Sequence, residues 1–260
     1  MIYVCIPSYN EGPTVGLVLW KIRRVFAEFP REYALLVVDD GSTDRTAEVL
    51  EHYAKVLPLT VIRHHARRGY GPSVEILLRE AVDRTDRPKR DCAVLMHADF
   101  THGPEYLPEL IRKIESGADL VVAQARLPAA LPRTWRWLRR LAPHLVPGVR
   151  VAGVKDLASG FAAMRLISLR NALRVRGDSL ITADGWAANA ELYGRIASSA
   201  RRIETIEFTE CHDLRARPAR GTPWQTAKRL WKAGRQLRIE PARHRPERHD
   251  REPEPAEASG

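Results

Sequence analysis

The chain has 260 residues, of which 44% are hydrophobic, enough for the core of one α/β domain or of one domain with a small appendage. The formal charge of +10 favours anionic partners such as nucleotides, phosphates, nucleic acid or an acidic membrane face, although a basic solvated surface explains it equally well. No apolar run approaches the ~20 residues that a membrane-spanning helix needs, which argues against a membrane-spanning class.

Short apolar runs alternate with amphipathic stretches through the first half of the chain. The runs predict strands at residues 2–6, 34–39, 59–64, 92–97 and 119–124, and the stretches between them predict helices near 14–28, 44–56, 72–83 and 104–115. All-apolar strands separated by helices are typical of parallel sheets. We therefore expect a single α/β domain with a Rossmann-like, mainly parallel sheet covered by helices on both faces.

The second half of the chain is less regular. Residues 131–150 and 224–238 combine tryptophans with arginines, which indicates basic amphipathic helices that either pack on the core or lie on a membrane interface. A helix around 184–199 and a strand near 202–208 are expected between them. From about residue 241 apolar residues almost disappear, which predicts disorder. The expected division is a domain at 1–210, a basic amphipathic segment at 211–240 and a disordered tail at 241–260.

The cysteines and the amino terminus bear on the compartment. Cys5, Cys92 and Cys211 are widely spaced, and two of them sit inside apolar runs, so we expect buried thiols in a reducing compartment. The first residues enter strand-like sequence directly, without the pattern of a cleavable signal. The expected location is cytoplasmic, with peripheral contact at the inner membrane face.

Polar motifs follow the first four predicted strands. They are PSYNEG (7–12), DDGSTD (39–44), RRGYG (67–71) and HADFTH (97–102). Because ligands of doubly wound sheets bind at the carboxyl ends of the strands, we expect these four motifs to line one cleft.

A nucleoside diphosphate suits these residue types. Asp39 and Asp40 are able to accept hydrogen bonds from a base and a ribose, and Gly69 and Gly71 allow close approach of the backbone. Asp99 offers a hard oxygen to a divalent cation. Because neither a Walker-type loop nor a Gly-x-Gly-x-x-Gly motif follows a strand, ATPase and dehydrogenase functions lose their main support.

The motifs PSYNEG, VVDDGSTD, HADFTHGPE and VKDLASGF resemble, in order and spacing, those of family 2 glycosyltransferases, with the greatest likeness to the dolichol-phosphate mannose synthase-like branch. The likeness covers roughly residues 2–210 and implies a GT-A fold that binds a nucleotide-sugar. It implies that Asp99 holds Mg²⁺ or Mn²⁺. The expected nucleotide-sugar contacts, from the resemblance and the residue chemistry together, are Pro7, Tyr9, Glu11, Asp39, Asp40, Gly69, Gly71 and Ala98.

The resemblance also implies an acceptor site. Arg126, and either Arg139 or Arg140, match positions that hold an acceptor phosphate, and guanidinium groups pair well with phosphate. Asp156, Ser159 and Gly160 fall on a D-x-x-S-G motif beside the transfer site. We expect Asp156 and Asp99 to be catalytic and Ser159 to belong to the acceptor site.

Two departures from the family pattern stand out. His97 replaces the first acid of the usual Asp-x-Asp, and Ala162 stands where relatives carry an arginine. Imidazole is a good ligand for Mn²⁺ and a poor one for Mg²⁺. We therefore expect Asp99 to be the essential ligand, His97 to be a second ligand or a hydrogen-bond donor to the diphosphate, and Mn²⁺ to be favoured.

The predicted function is inverting transfer of a hexose from a nucleotide-sugar, GDP-mannose or a UDP-hexose, to a polyprenyl phosphate. The alternative is transfer to a soluble hydroxyl acceptor, a natural product or saccharide. That alternative needs a general base, for which Asp156 is the leading candidate and Asp184 and Glu191 are weaker ones. A nucleic-acid-binding module finds little support, because the basic residues lack an interleaved aromatic motif or a recognition helix.

Overall fold

The computed structural model describes residues 1–128, 131–177, 179–211, 222–237 and 239. Within these ranges the strands are β1 (Ile2–Ser8), β2 (Tyr33–Asp39), β3 (Leu59–Arg63), β4 (Cys92–Leu95), β5 (Leu120–Arg126), β6 (Ala162–Arg165) and β7 (Ile203–Thr209). The helices are α1 (Gly12–Glu28), α2 (Thr46–Ala54), α3 (Tyr70–Arg84), α4 (Leu107–Glu115), α5 (Arg133–Leu145), α6 (Leu166–Arg176), α7 (Trp186–Ala197) and α8 (Pro223–Gln236). A short 3₁₀ helix, Pro104–Tyr106, precedes α4.

The strands form one sheet in the order β3-β2-β1-β4-β6-β5-β7. All neighbouring pairs are parallel except the two that involve β6, which runs antiparallel to β4 and β5. The expected mainly parallel sheet is confirmed, as are the six predicted strands. β6 and α6 were not predicted, and the four residues of β6, three of them apolar, are too few to show a period.

Side chains on the two faces of the sheet enter two separate cores. Along β1, Tyr3 and Cys5 pack with α3, α6 and α7, whereas Ile2, Val4 and Ile6 pack with α1, α2 and α4. This alternation follows from the two-residue period of a strand. Cys5 and Cys92 are buried, as expected, and burial raises the pKa of the Cys5 thiol. Helices therefore cover both faces.

The sheet has a topological switch point at β1. The chain moves outward from β1 to β3 on one side and then crosses to β4 on the other side. Ligands of such sheets bind in the crevice beyond the carboxyl ends of the strands at this point. The loops that follow β1 and β4 are therefore placed to form a site.

The two predicted basic segments form α5 and α8, which pack against each other, and α8 also packs against α7. None of the helices in the described ranges combines the length and the apolarity that crossing a bilayer requires. The predicted tail, residues 241–260, lies outside the described residues.

Candidate active site

A cleft of about 310 Å³ opens at the switch point. One side, which we call the β1–β4 half, consists of Pro7, Ser8, Tyr9, Glu11, Asp40, Arg67, His97, Ala98 and Asp99. The opposite side, the α5–α8 half, consists of Leu127, Leu131, Trp135, Arg139, Trp186, Glu210, Thr226, Arg229 and Leu230. The first half is largely polar, and the second combines apolar side chains with two arginines.

Asp40 shapes the β1–β4 half by holding the loop before α3. Its carboxylate accepts hydrogen bonds from the backbone amides of Arg68 (2.7 Å) and Gly69 (2.9 Å), and His64 Nδ1 lies 2.8 Å from it. Asp40 is only 4% exposed and still borders the cleft. It therefore fixes the wall of the cleft at this point.

Three of the expected nucleotide contacts do not border the cleft. Asp39 is fully buried and accepts a hydrogen bond from the Ser42 amide (3.0 Å). The Gly69 amide donates to Asp40, and the Gly71 amide donates to Asp184 (3.0 Å). A side chain at Gly71 would collide with the Ala183 carbonyl, so glycine is needed there for close packing within the protein.

Tyr9 and Arg67 form a second polar wall of the β1–β4 half. The Arg67 guanidinium lies 4.4 Å from the centre of the Tyr9 ring, a cation–π distance. Nearby, Glu11 is 7% exposed and accepts a hydrogen bond from the Thr14 hydroxyl (3.2 Å). The arrangement supplies a flat aromatic surface, one cation and one carboxylate at the end of β1.

His97 and Asp99 follow β4 and face the same cleft. The Asp99 carboxylate accepts hydrogen bonds from the Thr101 hydroxyl (2.6 Å) and amide (3.2 Å). The two ring nitrogens of His97 each lie 3.4 Å from a hydroxyl, that of Tyr70 and that of Thr101. These two contacts are at the long end of the hydrogen-bond range.

His102 supports His97 from behind. The two rings stack with centroids 4.1 Å apart, and the His102 Nδ1 accepts the backbone amide of His97 (3.0 Å), which places the proton of the neutral ring on Nε2. Burial lowers the pKa of His102 well below its ordinary value, and the neighbouring His97 and Arg139 lower it further. The His102 ring is therefore neutral, and its role is to orient His97 rather than to bind a metal ion.

The donor set at the end of β4 fits a divalent cation that shares its coordination with a diphosphate. No group of three or more His, Cys, Asp or Glu side chains in the described ranges forms a ready-made metal cage. Mg²⁺ and related ions commonly bind one or two protein groups together with substrate phosphates and water. In such a set Asp99 would supply an oxygen and His97 a nitrogen.

Arg139 dominates the α5–α8 half. Its guanidinium donates to both carboxylate oxygens of Asp156 (3.0 and 2.9 Å), lies 2.8 Å from Glu210 Oε1, and stands over the Trp186 ring. Burial lowers the pKa of Arg139, but Glu210 and Asp156 raise it by more, and the net shift is upward. Asp156 also accepts the amides of Ala125 and Ala158.

Asp156 does not border the cleft, and its hydrogen bonds hold Arg139 and the backbone around it in place. Of the two weaker base candidates, Asp184 borders the cleft and Glu191 does not. Glu191 is fully buried and accepts hydrogen bonds from the amides of Thr182 and Ala183 and from Arg195.

The three expected phosphate-binding arginines lie apart from one another. Arg126 is largely exposed outside the cleft and pairs with Glu207. Arg140 lies on the outer side of α5 near Arg136 and Trp137. Only Arg139 borders the cleft, together with Ser159, whose hydroxyl donates to the Ala123 carbonyl (2.7 Å).

Some cleft residues were not predicted. Glu210 directly follows β7, so the rule that pointed to the other strand ends would have found it. Trp186, Asn189 and Arg229 lie on helices, and only tertiary packing brings them to the cleft. Asn189 accepts the Tyr70 hydroxyl (2.8 Å) and donates to the Ala158 carbonyl (3.0 Å), which ties α3 to the loop before β6.

Comparison with known proteins agrees with this geometry. The model of the family described as "Glycosyl transferase family 2" matches residues 3–173. The dolichol-phosphate mannosyltransferase of Pyrococcus furiosus is 30% identical over 170 residues, which cover 62% of this chain and 45% of that protein. The undecaprenyl-phosphate mannosyltransferase of Micrococcus luteus is 28% identical over 212 residues, which cover 78% of this chain and 81% of that protein. The matched region thus spans less than half of the first relative and most of the second.

Solved structures show the same fold at lower identity. Glucosyl-3-phosphoglycerate synthase from Mycobacterium tuberculosis in complex with phosphoglyceric acid superimposes with a TM-score of 0.61 at 20% identity, covering 94% of this chain and 81% of that one. The same enzyme with Mn²⁺ and UDP-glucose gives a TM-score of 0.60 at 20% identity, covering 91% and 76%. Since the family model matches well over half of the sequence, the chain belongs to glycosyl transferase family 2 and has the GT-A fold.

Proposed function

We propose that this glycosyltransferase moves a hexose from a nucleotide-sugar to a polyprenyl phosphate, with inversion at the anomeric carbon. The observation that carries the proposal is the division of one cleft into a polar half at the switch point and an apolar, arginine-containing half beneath α5 and α8. Relatives named as dolichol-phosphate and undecaprenyl-phosphate mannosyltransferases support the acceptor class.

The β1–β4 half is the proposed donor site. Pro7, Tyr9, Glu11, Asp40 and Ala98 are proposed to contact the nucleotide-sugar, and all of them border the cleft. A divalent cation held by Asp99 and His97 would neutralise the charge that grows on the departing diphosphate. Mn²⁺ is the proposed ion, because imidazole suits it better than Mg²⁺. The glucosyl-3-phosphoglycerate synthase of M. tuberculosis has been solved with Mn²⁺ and UDP-glucose.

The α5–α8 half is the proposed acceptor site. Leu127, Leu131, Trp135 and Leu230 form an apolar wall that suits the first isoprene units of a lipid. In the reaction, a phosphate oxygen of the acceptor bonds to the anomeric carbon while the bond from that carbon to the nucleoside diphosphate breaks. Because a phosphate is already anionic at neutral pH, this step needs no general base, and Asp156 serves to position Arg139 instead.

The outer sides of α5 and α8 are proposed to contact an anionic membrane surface. Trp137 and Leu141 on α5 and Trp224 and Trp231 on α8 are 62%, 50%, 85% and 53% exposed, and we call these four residues the tryptophan face. Arginines and lysines, Arg136, Arg140, Lys228 and Lys232, lie on the same two helices. Exposed tryptophans beside basic residues suit the headgroup region of an acidic bilayer.

The test is a matrix of donors and acceptors with Mn²⁺ present. The purified chain is incubated with GDP-mannose and UDP-hexoses, each with undecaprenyl phosphate, with the matching alcohol undecaprenol, and with soluble saccharides. We expect one donor to give a glycosyl phospholipid, seen by mass spectrometry, whose anomeric configuration by NMR is opposite to that of the donor. Transfer only to hydroxyl acceptors would contradict the proposal and would favour Glu210 or Asp184 as the base, since these two carboxylates border the cleft outside the proposed donor site.

A further inference from the structure

A phosphate acceptor calls for a cation in the cleft, and the positive charge of Arg139 is already paired within the protein. Its single positive charge faces the two carboxylates of Asp156 and Glu210, at 2.9 and 2.8 Å. Arg139, Asp156 and Glu210 are each at most 12% exposed at the side chain, so water screens their charges weakly. The guanidinium of Arg139 is thus already paired with carboxylates of the protein.

The other two cations of the cleft differ in their surroundings. Arg67 lies over Tyr9 in the β1–β4 half, next to the proposed nucleotide site. Arg229 borders the α5–α8 half from α8, and within the described ranges it forms no ion pair with a carboxylate. Its neighbours on the helix, Thr226 and Leu230, border the same cleft. Thr226 lies three residues before Arg229 and four before Leu230, spacings that place it beside each of them on the surface of α8.

α8 is held firmly enough to position this guanidinium. Gly234 lies so close to the Leu145 carbonyl and to Val146 Cα at the end of α5 that any side chain there would collide with backbone. Leu230 and Leu237 are 2% and 5% exposed and belong to the core on that face of the sheet. A capping box at Thr222 and Gln225 closes the amino end of the helix.

We propose that Arg229 recognises the phosphate of the acceptor, and that Arg139 with its two carboxylates orders the site without binding that phosphate. This inference rests on the proposed function. It assigns acceptor recognition to a helix that lies beyond residues 3–173, the part matched by the family model. The guanidinium of Arg229 stands beside the apolar wall, so one helix contacts both the phosphate and the first units of the lipid.

The experiment compares Arg229→Ala, Arg229→Lys and the wild type with a short prenyl phosphate, citronellyl phosphate, in the absence of membranes. The control is Arg174→Ala, which removes one exposed arginine from α6, away from the cleft. For Arg229→Ala we expect the KM of the acceptor to rise by about 10- to 100-fold, as the loss of a charged hydrogen bond implies, with the KM of the donor unchanged. Arg229→Lys should recover part of this loss, and Arg174→Ala should match the wild type.

A second arm separates the phosphate from the lipid. Inorganic phosphate should inhibit the wild type competitively against citronellyl phosphate, and it should inhibit Arg229→Ala much more weakly. If Arg229→Ala keeps the wild-type KM for citronellyl phosphate, the inference is wrong while the proposed function stands. If the wild type transfers sugar to alcohols and not to any prenyl phosphate, the proposed function fails and the inference fails with it.

Discussion

Arg139 and Asp156 form a bidentate ion pair, in which both carboxylate oxygens accept hydrogen bonds from the guanidinium, at 3.0 and 2.9 Å. The pair joins α5 to the loop before β6, and Glu210 extends it to the end of β7. Three elements that are far apart in sequence are thus fixed to one another at the floor of the cleft. The Asp156 that the sequence motif marks as a candidate catalytic residue thus also joins these elements.

Asp156→Ala should therefore lower stability as well as activity. Removing one partner of a buried ion pair leaves Arg139 less compensated and costs about 3 kcal/mol in the free energy of unfolding. Urea unfolding followed by circular dichroism measures this loss. A general base would behave otherwise: its replacement would abolish turnover while the urea midpoint stayed at the wild-type value.

Gly160→Ala should cost more stability than the strain of a positive φ alone, because the added Cβ would also overlap with neighbouring side chains. Gly160 has a φ of +65°, and a Cβ there would lie 2.8 Å from each of Asn189 Nδ2, His97 Nε2 and the Tyr70 hydroxyl. Gly177 provides a matched control, since its φ is +66° and a Cβ at that position would have nothing within 4 Å. We expect Gly160→Ala to lose about 1–3 kcal/mol more than Gly177→Ala, from overpacking, and to lose turnover as well. Equal urea midpoints for the two variants would show that a Cβ at position 160 is not crowded by its neighbours.

The sequence predicted the sheet well, because the period of buried strands and helices is a local property. β1 to β5 and β7 lie within two residues of their predicted bounds. The antiparallel direction of β6 was not predictable in this way, since it arises from pairing with residues of β4 and β5 that lie 40 or more positions away along the chain.

The sequence predicted most of the site residues that lie at the ends of strands, and it did not predict most of those that lie on helices. Pro7 lies near the end of β1, Tyr9 and Glu11 follow β1, and Ala98 and Asp99 follow β4. All five border the cleft. Arg126 matched a motif, but its side chain points away from the cleft at the end of β5 and pairs with Glu207. Side-chain direction and the packing of α5 and α8 depend on the whole fold, so spacing alone did not reveal them.

Glu75→Gln should weaken the protein most at neutral pH. Burial raises the pKa of Glu75, but hydrogen bonds from the Leu180 and Ile181 amides and from Arg79 outweigh it, and the pKa is lower than its ordinary value of 4.5. A carboxyl with a depressed folded pKa stabilises the protein above its unfolded pKa, and this contribution disappears as the pH falls through the folded pKa.

The wild type should thus exceed Glu75→Gln by about 1–2 kcal/mol at pH 7, and the gap should narrow as the pH falls below 4.5. Urea titrations of both proteins between neutral and acidic pH measure the gap. A gap that stayed constant over the whole range would show that the charge of Glu75 is not responsible.

The tryptophan face should govern binding to vesicles. Trp137→Ser with Trp231→Ser removes two exposed rings, and each ring that enters the interface contributes on the order of 1–2 kcal/mol, so binding should weaken by at least tenfold. The control is Trp20→Ser on α1, whose ring is also exposed but lies on the opposite face of the sheet. Sedimentation with phosphatidylglycerol vesicles measures the affinity. If the double variant and the control lose vesicle affinity equally, the tryptophan face does not bind the membrane.

His97 should decide which cation supports turnover. In His97→Asp a carboxylate replaces the imidazole beside Asp99, and because Mg²⁺ prefers oxygen, the preference for Mn²⁺ over Mg²⁺ should fall by about tenfold or more. Turnover is measured over a titration of each ion, and Asp99→Asn serves as the variant that loses activity with both. If His97 instead donates a hydrogen bond to the diphosphate, His97→Asp brings a like charge to that group and loses turnover in Mn²⁺ and Mg²⁺ alike. Isothermal titration calorimetry of Mn²⁺ binding, with UDP or GDP present, then separates the two roles. If His97 is a metal ligand, His97→Asp changes the affinity for Mn²⁺, and if His97 only binds the diphosphate, that affinity stays at the wild-type value.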